Sequence, residues 1–272
     1  MAVPDRPEDR GAGATEPLQP PETDDDERLL DRFEEQPRSR ALHLMRDAAF
    51  VVAVAIVVSA LLRAFVLQAF MVPTGSMERT IGTDQRILVT KFGEIERGQI
   101  VVFQDPSDWI TLQAGTTEPP GPIRSGLEWV GLLPSSADDH LVKRVVGMPG
   151  DRVVCCDNRG RVSVNGQALK EDSYLFPGDE ASEAVFDVTV PRGAMWVMGD
   201  HRSDSGDSRC HLADGTAFVP LDLVTGRAVA TIWPFEDLAT LGVPQTYTGV
   251  PTPSNVPADP VVTTPSDCVL VP

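Results

Sequence analysis

Two hydrophobic rhythms divide the chain. From Ala48 to Leu62 the run AAFVVAVAIVVSALL carries no charge, and after Arg63 it resumes as AFVLQAF to Phe70. Counted as one helix, 48–70 holds 23 residues. It would measure roughly 34 Å, enough to span a hydrocarbon core of about 30 Å. The pattern predicts a transmembrane signal anchor, with Arg63 and Gln68 near one interface, where a long cationic side chain snorkels. A cleavable signal peptide needs a short basic leader. The leader here is 47 residues and acidic. Arg28, Arg32, Arg38, Arg40 and Arg46 precede the run, against Arg79 and Arg86 after it. That bias predicts a cytoplasmic N-terminus, with residues 71 onward outside.

Beyond the anchor the rhythm shortens to β-type runs cut by turn residues. ILVTKF (87–92), IVVF (100–103), VKRVVG (142–147), RVVCC (152–156), RVSVNG (161–166), VFDVTV (185–190), MWVMG (195–199) and RAVATIW (227–233) read as strands. Asn165-Gly166 marks a tight turn. No sustained helical period interrupts them. The expected fold is mainly β, a partly open barrel or paired sheets behind one N-terminal transmembrane helix. Residues 107–140 read as an insertion in which Trp129, Leu132 and Leu133 pack back on the core.

Composition changes the picture at the two ends. Residues 1–47 hold 13 acids and 7 bases, residues 236–272 hold 4 acids and no base, and together they carry 13 of the 24 prolines. Both are expected to be disordered, because neither has enough periodic apolar sequence to offset the entropy of ordering. The expected organisation is a tail (1–47), an anchor (48–70), an external domain (71–235) and a Pro-rich tail (236–272). The net charge of −17 argues against a nucleic-acid binder, which needs a cationic footprint. Four cysteines are too few for a disulfide scaffold and leave zinc formally open.

Three polar stretches exceed what strands need. Pro73-Thr74-Gly75-Ser76-Met77 follows the anchor, Leu141 to Asp151 places Lys143 inside an apolar run, and Gly199 to Arg209 is a dense polar loop. In this order they resemble the conserved boxes of bacterial type I signal peptidases, the membrane-anchored Ser-Lys peptidases, in their actinobacterial form. The Pro-Ser-Gly-Ser-Met box of that family is matched by Pro73 to Met77. Thr83 to Lys91, Arg97 to Phe103, Lys143 to Asp151 and Gly199 to Arg209 resemble the family's later boxes.

The resemblance implies a serine endopeptidase that removes N-terminal signal peptides from exported preproteins. It assigns Ser76 as nucleophile, Lys143 as general base, Ser205 as the hydroxyl that orients the amine, and Thr74 as an oxyanion donor. Arg144, Asp200, Asp207 and Arg209 are charged supports, with an Asp200–Arg144 pair expected. A serine hydroxyl needs a base. A lysine serves only if burial lowers its pKa from about 10.4. The resemblance also implies cleavage after Ala-x-Ala-type sequences at the outer membrane surface by a monomer with no cofactor and no metal. Two departures stand out: Glu78-Arg79 replaces a residue–Pro pair after the Ser-Met, and His201 replaces a common asparagine; a third, Thr74 in place of serine, keeps the hydroxyl and adds a methyl group.

Competing readings are a zinc hydrolase or zinc-stabilised domain using Cys155, Cys156, His201, Cys210 and His211, a Ser-His-Asp hydrolase using His140 or His201, and a non-catalytic anchored binding protein. Adjacent cysteines suit a tetrahedral zinc site poorly, and both Ser76 and Lys143 are present. Outside the membrane Cys210 could pair with Cys155 or Cys156, whereas a Cys155–Cys156 bond would be strained.

Overall fold

The computed structural model describes residues 24–107, 109 and 140–264, the side chains of 24–40 and 62–65 excepted. Two units are distinct, Met1–Ala55 and Ile56–Pro272. The helix α1 runs from Asp24 to Phe65, so residues 24–47 are helical, contrary to the expectation of a disordered tail. Within it Ala41–Leu61 has a mean hydropathy of 2.1 and is long and apolar enough to cross a membrane.

The anchor expected to reach Phe70 ends sooner. Leu67–Met71 is a strand, β1, paired antiparallel with β2 (Arg86–Thr90) from Leu67 opposite Thr90 to Met71 opposite Arg86. Hydropathy cannot distinguish a buried strand from the end of an apolar helix. Phe70 belongs to the core, fully buried in a cluster with Val72, Met77, Ile81 and Ile87, and Gln68 lies within the strand.

The remaining strands are β3 (Ile100–Gln104), β4 (His140–Gly147), β5 (Arg152–Cys155), β6 (Ser163–Val164), β7 (Gln167–Ala168), β8 (Phe186–Thr189), β9 (Ala194–Met198), β10 (Val219–Pro220), β11 (Val224–Trp233), β12 (Ala239–Thr240) and β13 (Val261–Thr264). They form paired sheets, as expected. An eight-stranded sheet has the order β1-β2-β11-β3-β4-β9-β10, with β12 on β11, and a five-stranded sheet has the order β13-β8-β5-β6-β7. Asn165-Gly166 makes the two-residue turn between β6 and β7, with Val164 opposite Gln167.

β4 positions the chemistry. It lies between β3 and β9, with Lys143 opposite Val101 and Arg144 opposite Met198. Every residue from Leu141 to Gly147 is buried. Both faces of the strand are covered, so the usual escape of a lysine to solvent from an alternating strand is closed.

The C-terminal region corrects a second expectation. β13 pairs with β8, and Tyr247 and Val250 are buried in the core cluster of the smaller sheet. Prolines there fix an extended path without needing ladder hydrogen bonds at every residue. Trp129, Leu132 and Leu133, with the insertion apart from Ser107, Trp109 and His140, lie outside the described residues. Trp109 itself is buried, edge-on to Phe103 and stacked on His211.

Candidate active site

Ser76 sits on a 3-10 turn, Gly75–Met77. Met77 is fully buried in the apolar cluster that includes Phe70 and Val142, which pins the turn against the sheet that carries Lys143. The Lys143 amine approaches the Ser76 hydroxyl to 2.5 Å, and both residues are buried, at 1% and 2% exposure. Burial is the main reason the Lys143 pKa falls to about 8. The nearby Asp207, Asp204 and Asp200 oppose the fall, and Arg209 reinforces it. With its pKa lowered to about 8, the amine is neutral in a useful fraction near physiological pH, and in that form, held against a hydroxyl, it can take its proton.

The polar loop after β9 closes over this pair. Ser205 is buried, and its hydroxyl donates to Asp207 Oδ2 at 2.8 Å; it thus reaches the lysine's surroundings through that carboxylate. Asp207 also accepts from the Gly199 backbone N–H at 2.9 Å and is clamped by Arg209 through Nε and Nη2 at 2.8 and 2.9 Å. Burial alone would raise the Asp207 pKa, but the Arg209 charge and these hydrogen bonds hold it below the ordinary carboxylate value. Gly199 has no room for a side chain, since a Cβ would strike Ser205 Oγ and the Ser76 carbonyl.

The expected Asp200–Arg144 pair is present, bidentate and buried, at 2.7 and 2.5 Å. Arg144 also donates to the Gly98 carbonyl at 2.7 Å, and Thr80 donates to Asp200 at 2.5 Å. Thr74 lies beside the nucleophile, its hydroxyl 3.5 Å from Ser76 Oγ. Thr74 is solvent-exposed, unlike the buried Ser76.

Several residues around the site carry no local signal in the sequence. Arg202 pairs with Glu171 at 2.5 Å and donates to the Gly199 carbonyl at 2.7 Å; all but a few per cent of both side chains is buried. Tyr174 lies under Arg144, 4.3 Å from guanidinium to ring centre. Arg202 falls inside the polar loop, so a search for buried partners to each arginine of that loop would have raised it. Glu171, Tyr174 and Thr80 offer no such hint.

Two of the departures from the family boxes meet in space. His201 faces Glu78 at 3.5 Å, stacks on Phe176 at 3.8 Å, and its backbone N–H donates to the Ser76 carbonyl at 3.1 Å. Arg79 has φ 79°, and its side chain donates to the Leu175 carbonyl at 2.6 Å. Proline is fixed near φ −65° and cannot take that conformation, so the backbone just past the nucleophile follows a different path from a residue–Pro sequence. Arg79→Pro is expected to cost more than about 1 kcal/mol of stability. A thermal unfolding midpoint equal to the parent's would refute this.

The residues weighed for other chemistries are engaged elsewhere. Of the pairings left open, the structure bonds Cys155 to Cys156, and Cys210 is also disulfide-bonded. His211 accepts or donates at Asp214, 3.0 Å away. His140 heads β4 beside Phe70. Among the described residues no group of three or more His, Cys, Asp or Glu is placed to hold a metal ion.

The site thus sets a buried lysine amine against a buried serine hydroxyl on paired β-sheets. A family model described as "Signal peptidase, peptidase S26" matches residues 45–233. The chain belongs to that family, the serine peptidases that remove signal peptides from exported preproteins. It is 32% identical over 229 residues to "Signal peptidase I" of Mycobacterium tuberculosis (strain ATCC 25618 / H37Rv), covering 74% of this chain and 76% of that protein. It is 31% identical over 233 residues to "Probable signal peptidase I" of Mycobacterium leprae (strain TN), covering 73% and 79%. Against "Signal peptidase I" of Leptolyngbya laminosa the identity is 31% over 190 residues, covering 68% and 78%.

Proposed function

We propose that Ser76 is the nucleophile and Lys143 the general base of this signal peptidase. The observation that supports the reading is the 2.5 Å approach of a buried lysine amine to a buried serine hydroxyl. Neutral Lys143 takes the Ser76 proton as Oγ attacks the scissile carbonyl. The Thr74 hydroxyl and the Ser76 backbone N–H stabilise the oxyanion, a contribution of about 3 kcal/mol for a well-aimed donor. The Lys143 ammonium returns the proton to the leaving amine, which becomes the N-terminus of the mature protein. It then activates water against the acyl-enzyme. Arg144, Asp200, Asp207 and Arg209 hold the lysine strand and the polar loop in place.

The scissile site follows small residues, in Ala-x-Ala-type sequences, and the enzyme works as a monomer. α1 anchors it in the cell membrane with the N-terminus cytoplasmic and the peptidase domain outside. The short chain from the anchor to Ser76 tethers the nucleophile to the bilayer that holds the substrate's own apolar segment.

Detergent-solubilised protein incubated with a preprotein tests the reading, with the new N-terminus mapped by mass spectrometry. The rate should fall below a pH of about 8 as Lys143 takes up a proton. With one such group, the fall is about tenfold per pH unit. An equal rate at pH 8 and pH 6 would rule out a lysine base.

A further inference from the structure

Residues 241–264 lie beyond the stretch matched by the family model, yet the domain holds them along their length. The Thr246 carbonyl accepts from Gln167 at 3.0 Å, and its hydroxyl accepts from the Lys170 backbone at 2.6 Å. Farther on, Asn165 donates to the Pro251 carbonyl at 2.7 Å and the Arg192 backbone to Pro257 at 2.8 Å, before β13 joins β8. This strap delivers one aromatic side chain, Tyr247, 6% exposed, into the interior.

Tyr247 touches two branches that lead to the two reacting groups. Its ring covers Gly98, which has φ 82° and could not carry a Cβ without striking that ring. Gly98 in turn gives its carbonyl to Arg144, the neighbour of Lys143. The Tyr247 hydroxyl lies 3.1 Å from that of Tyr174, and the two rings are stacked. Tyr174 supports Arg144 from below and donates to Glu171 at 2.8 Å. Glu171 holds Arg202, and Arg202 holds the carbonyl of Gly199, the residue packed against the Ser76 backbone and Ser205. Burial keeps both phenols protonated, well above their ordinary pKa, so each can remain a hydrogen-bond donor throughout the working range. A buried polar chain of this kind holds a single geometry only while every member is satisfied.

We propose that the C-terminal strap is part of the peptidase's working structure, with Tyr247 a positioning residue that fixes Lys143 through Gly98 and Arg144, and Ser76 through Tyr174, Glu171, Arg202 and Gly199. The inference rests on the reading of Ser76 and Lys143 as nucleophile and base. Tyr247 touches neither reacting atom; it acts through the residues between.

The test uses the full-length protein in detergent with a preprotein substrate. Tyr247→Phe keeps the ring on Gly98 and removes the hydroxyl bridge, and Tyr247→Ala removes both. The expected result is a graded loss of kcat, about fivefold for the first and about a hundredfold for the second, with KM within about twofold of the parent. The acid limb of the Tyr247→Ala rate profile should also move to higher pH by more than about half a unit. Water admitted beside Arg144 relaxes the burial that keeps the Lys143 amine neutral. The charged groups facing that amine (Asp200, Asp204, Asp207 and Arg209, with Arg144 alongside) are the same in both variants, so the shift reports on packing and hydration. Folded variants with the parent's kcat and acid limb, or with a change in KM alone, would overturn the proposal. If Tyr247→Ala does not fold, the kcat of Tyr247→Phe decides: a parental value overturns the proposal, and a loss at constant KM supports it. Ser76→Ala, run alongside, separates the two failures. Cleavage by Ser76→Ala would remove the nucleophile assignment and this inference with it, whereas an inert Ser76→Ala beside fully active Tyr247 variants would remove this inference alone.

Discussion

Lys143→Met is expected to lower kcat by about 10⁴-fold or more while making the folded domain more stable. Both effects come from the same burial. The amine is the only base placed on Ser76 Oγ among the described residues, and removing one member of a nucleophile–base unit costs nearly as much as removing the unit. Ser76→Ala should therefore be about equally inactive. The stability effect follows from the depressed pKa, about 8 in the fold against 10.5 for a free lysine. Between those values the unfolded chain binds more protons than the folded one, so wild-type stability rises with pH across that window. Below about pH 8 the full cost is present, about 3 kcal/mol for a fully buried group. Methionine carries no charge and fills a similar volume. The stabilisation by Lys143→Met should therefore be largest below pH 8, shrink through pH 8–10.5 and vanish above. Chemical denaturation of the parent and the variant at pH 7 and pH 10.5 measures it. A variant less stable than the parent at pH 7, or a pH-independent difference, would contradict a Lys143 pKa lowered by burial.

The burial that gives Lys143 its chemistry is where the sequence was least informative by itself. VKRVV fits an alternating strand, and alternation would send Lys143 to solvent. Both faces are closed by side chains from distant segments, among them Met77 of the turn carrying Ser76, packed in the core clusters that hold Leu141, Val142, Val145 and Val146. The order of the polar boxes carried the site, and with it the Arg144–Asp200 pair. Strand positions were readable because β-branched runs and turn residues are local signals. Two long-range features were not. β1 looked like the end of the anchor because a short apolar strand that continues an apolar run has the composition of a membrane helix. The strap looked unstructured because its cohesion comes from backbone carbonyls, Tyr247 and one short pairing with β8, none of which produces a periodic apolar pattern. Glu171 and Tyr174 escaped notice for a related reason: their partners Arg202, Arg144 and Tyr247 lie 30 to 73 residues away, and a single buried carboxylate or phenol has no spacing to betray it.

Asp207→Asn should separate stability from chemistry in the opposite sense to Lys143→Met. Asp207 is fully buried, and its carboxylate satisfies Arg209, the Gly199 N–H and the Ser205 hydroxyl together. Asparagine keeps the shape but leaves the Arg209 guanidinium, 1% exposed, without its counter-charge. Stranding one member of a buried pair costs about 3–5 kcal/mol. The sign with pH follows from the lowered carboxyl pKa. The parent's advantage is present above the ordinary aspartate value of 3.8 and disappears as acid protonates the folded carboxylate, so the two proteins should converge only in strong acid. The catalytic profile moves as well. Asp207 is the largest influence holding the Lys143 pKa up, and Arg209 is the largest charge pushing it down. With the acid neutralised and the arginine still in place, the amine loses its proton more readily. The acid limb of kcat should shift below the parent's value of about 8, and the variant should retain a larger fraction of its maximal rate at pH 6 than the parent does. Denaturant midpoints and rate profiles on the same preparations read both effects. An acid limb that stays put or moves to higher pH would mean that Asp207 does not face the catalytic amine. Undiminished stability would mean that Arg209 finds another partner.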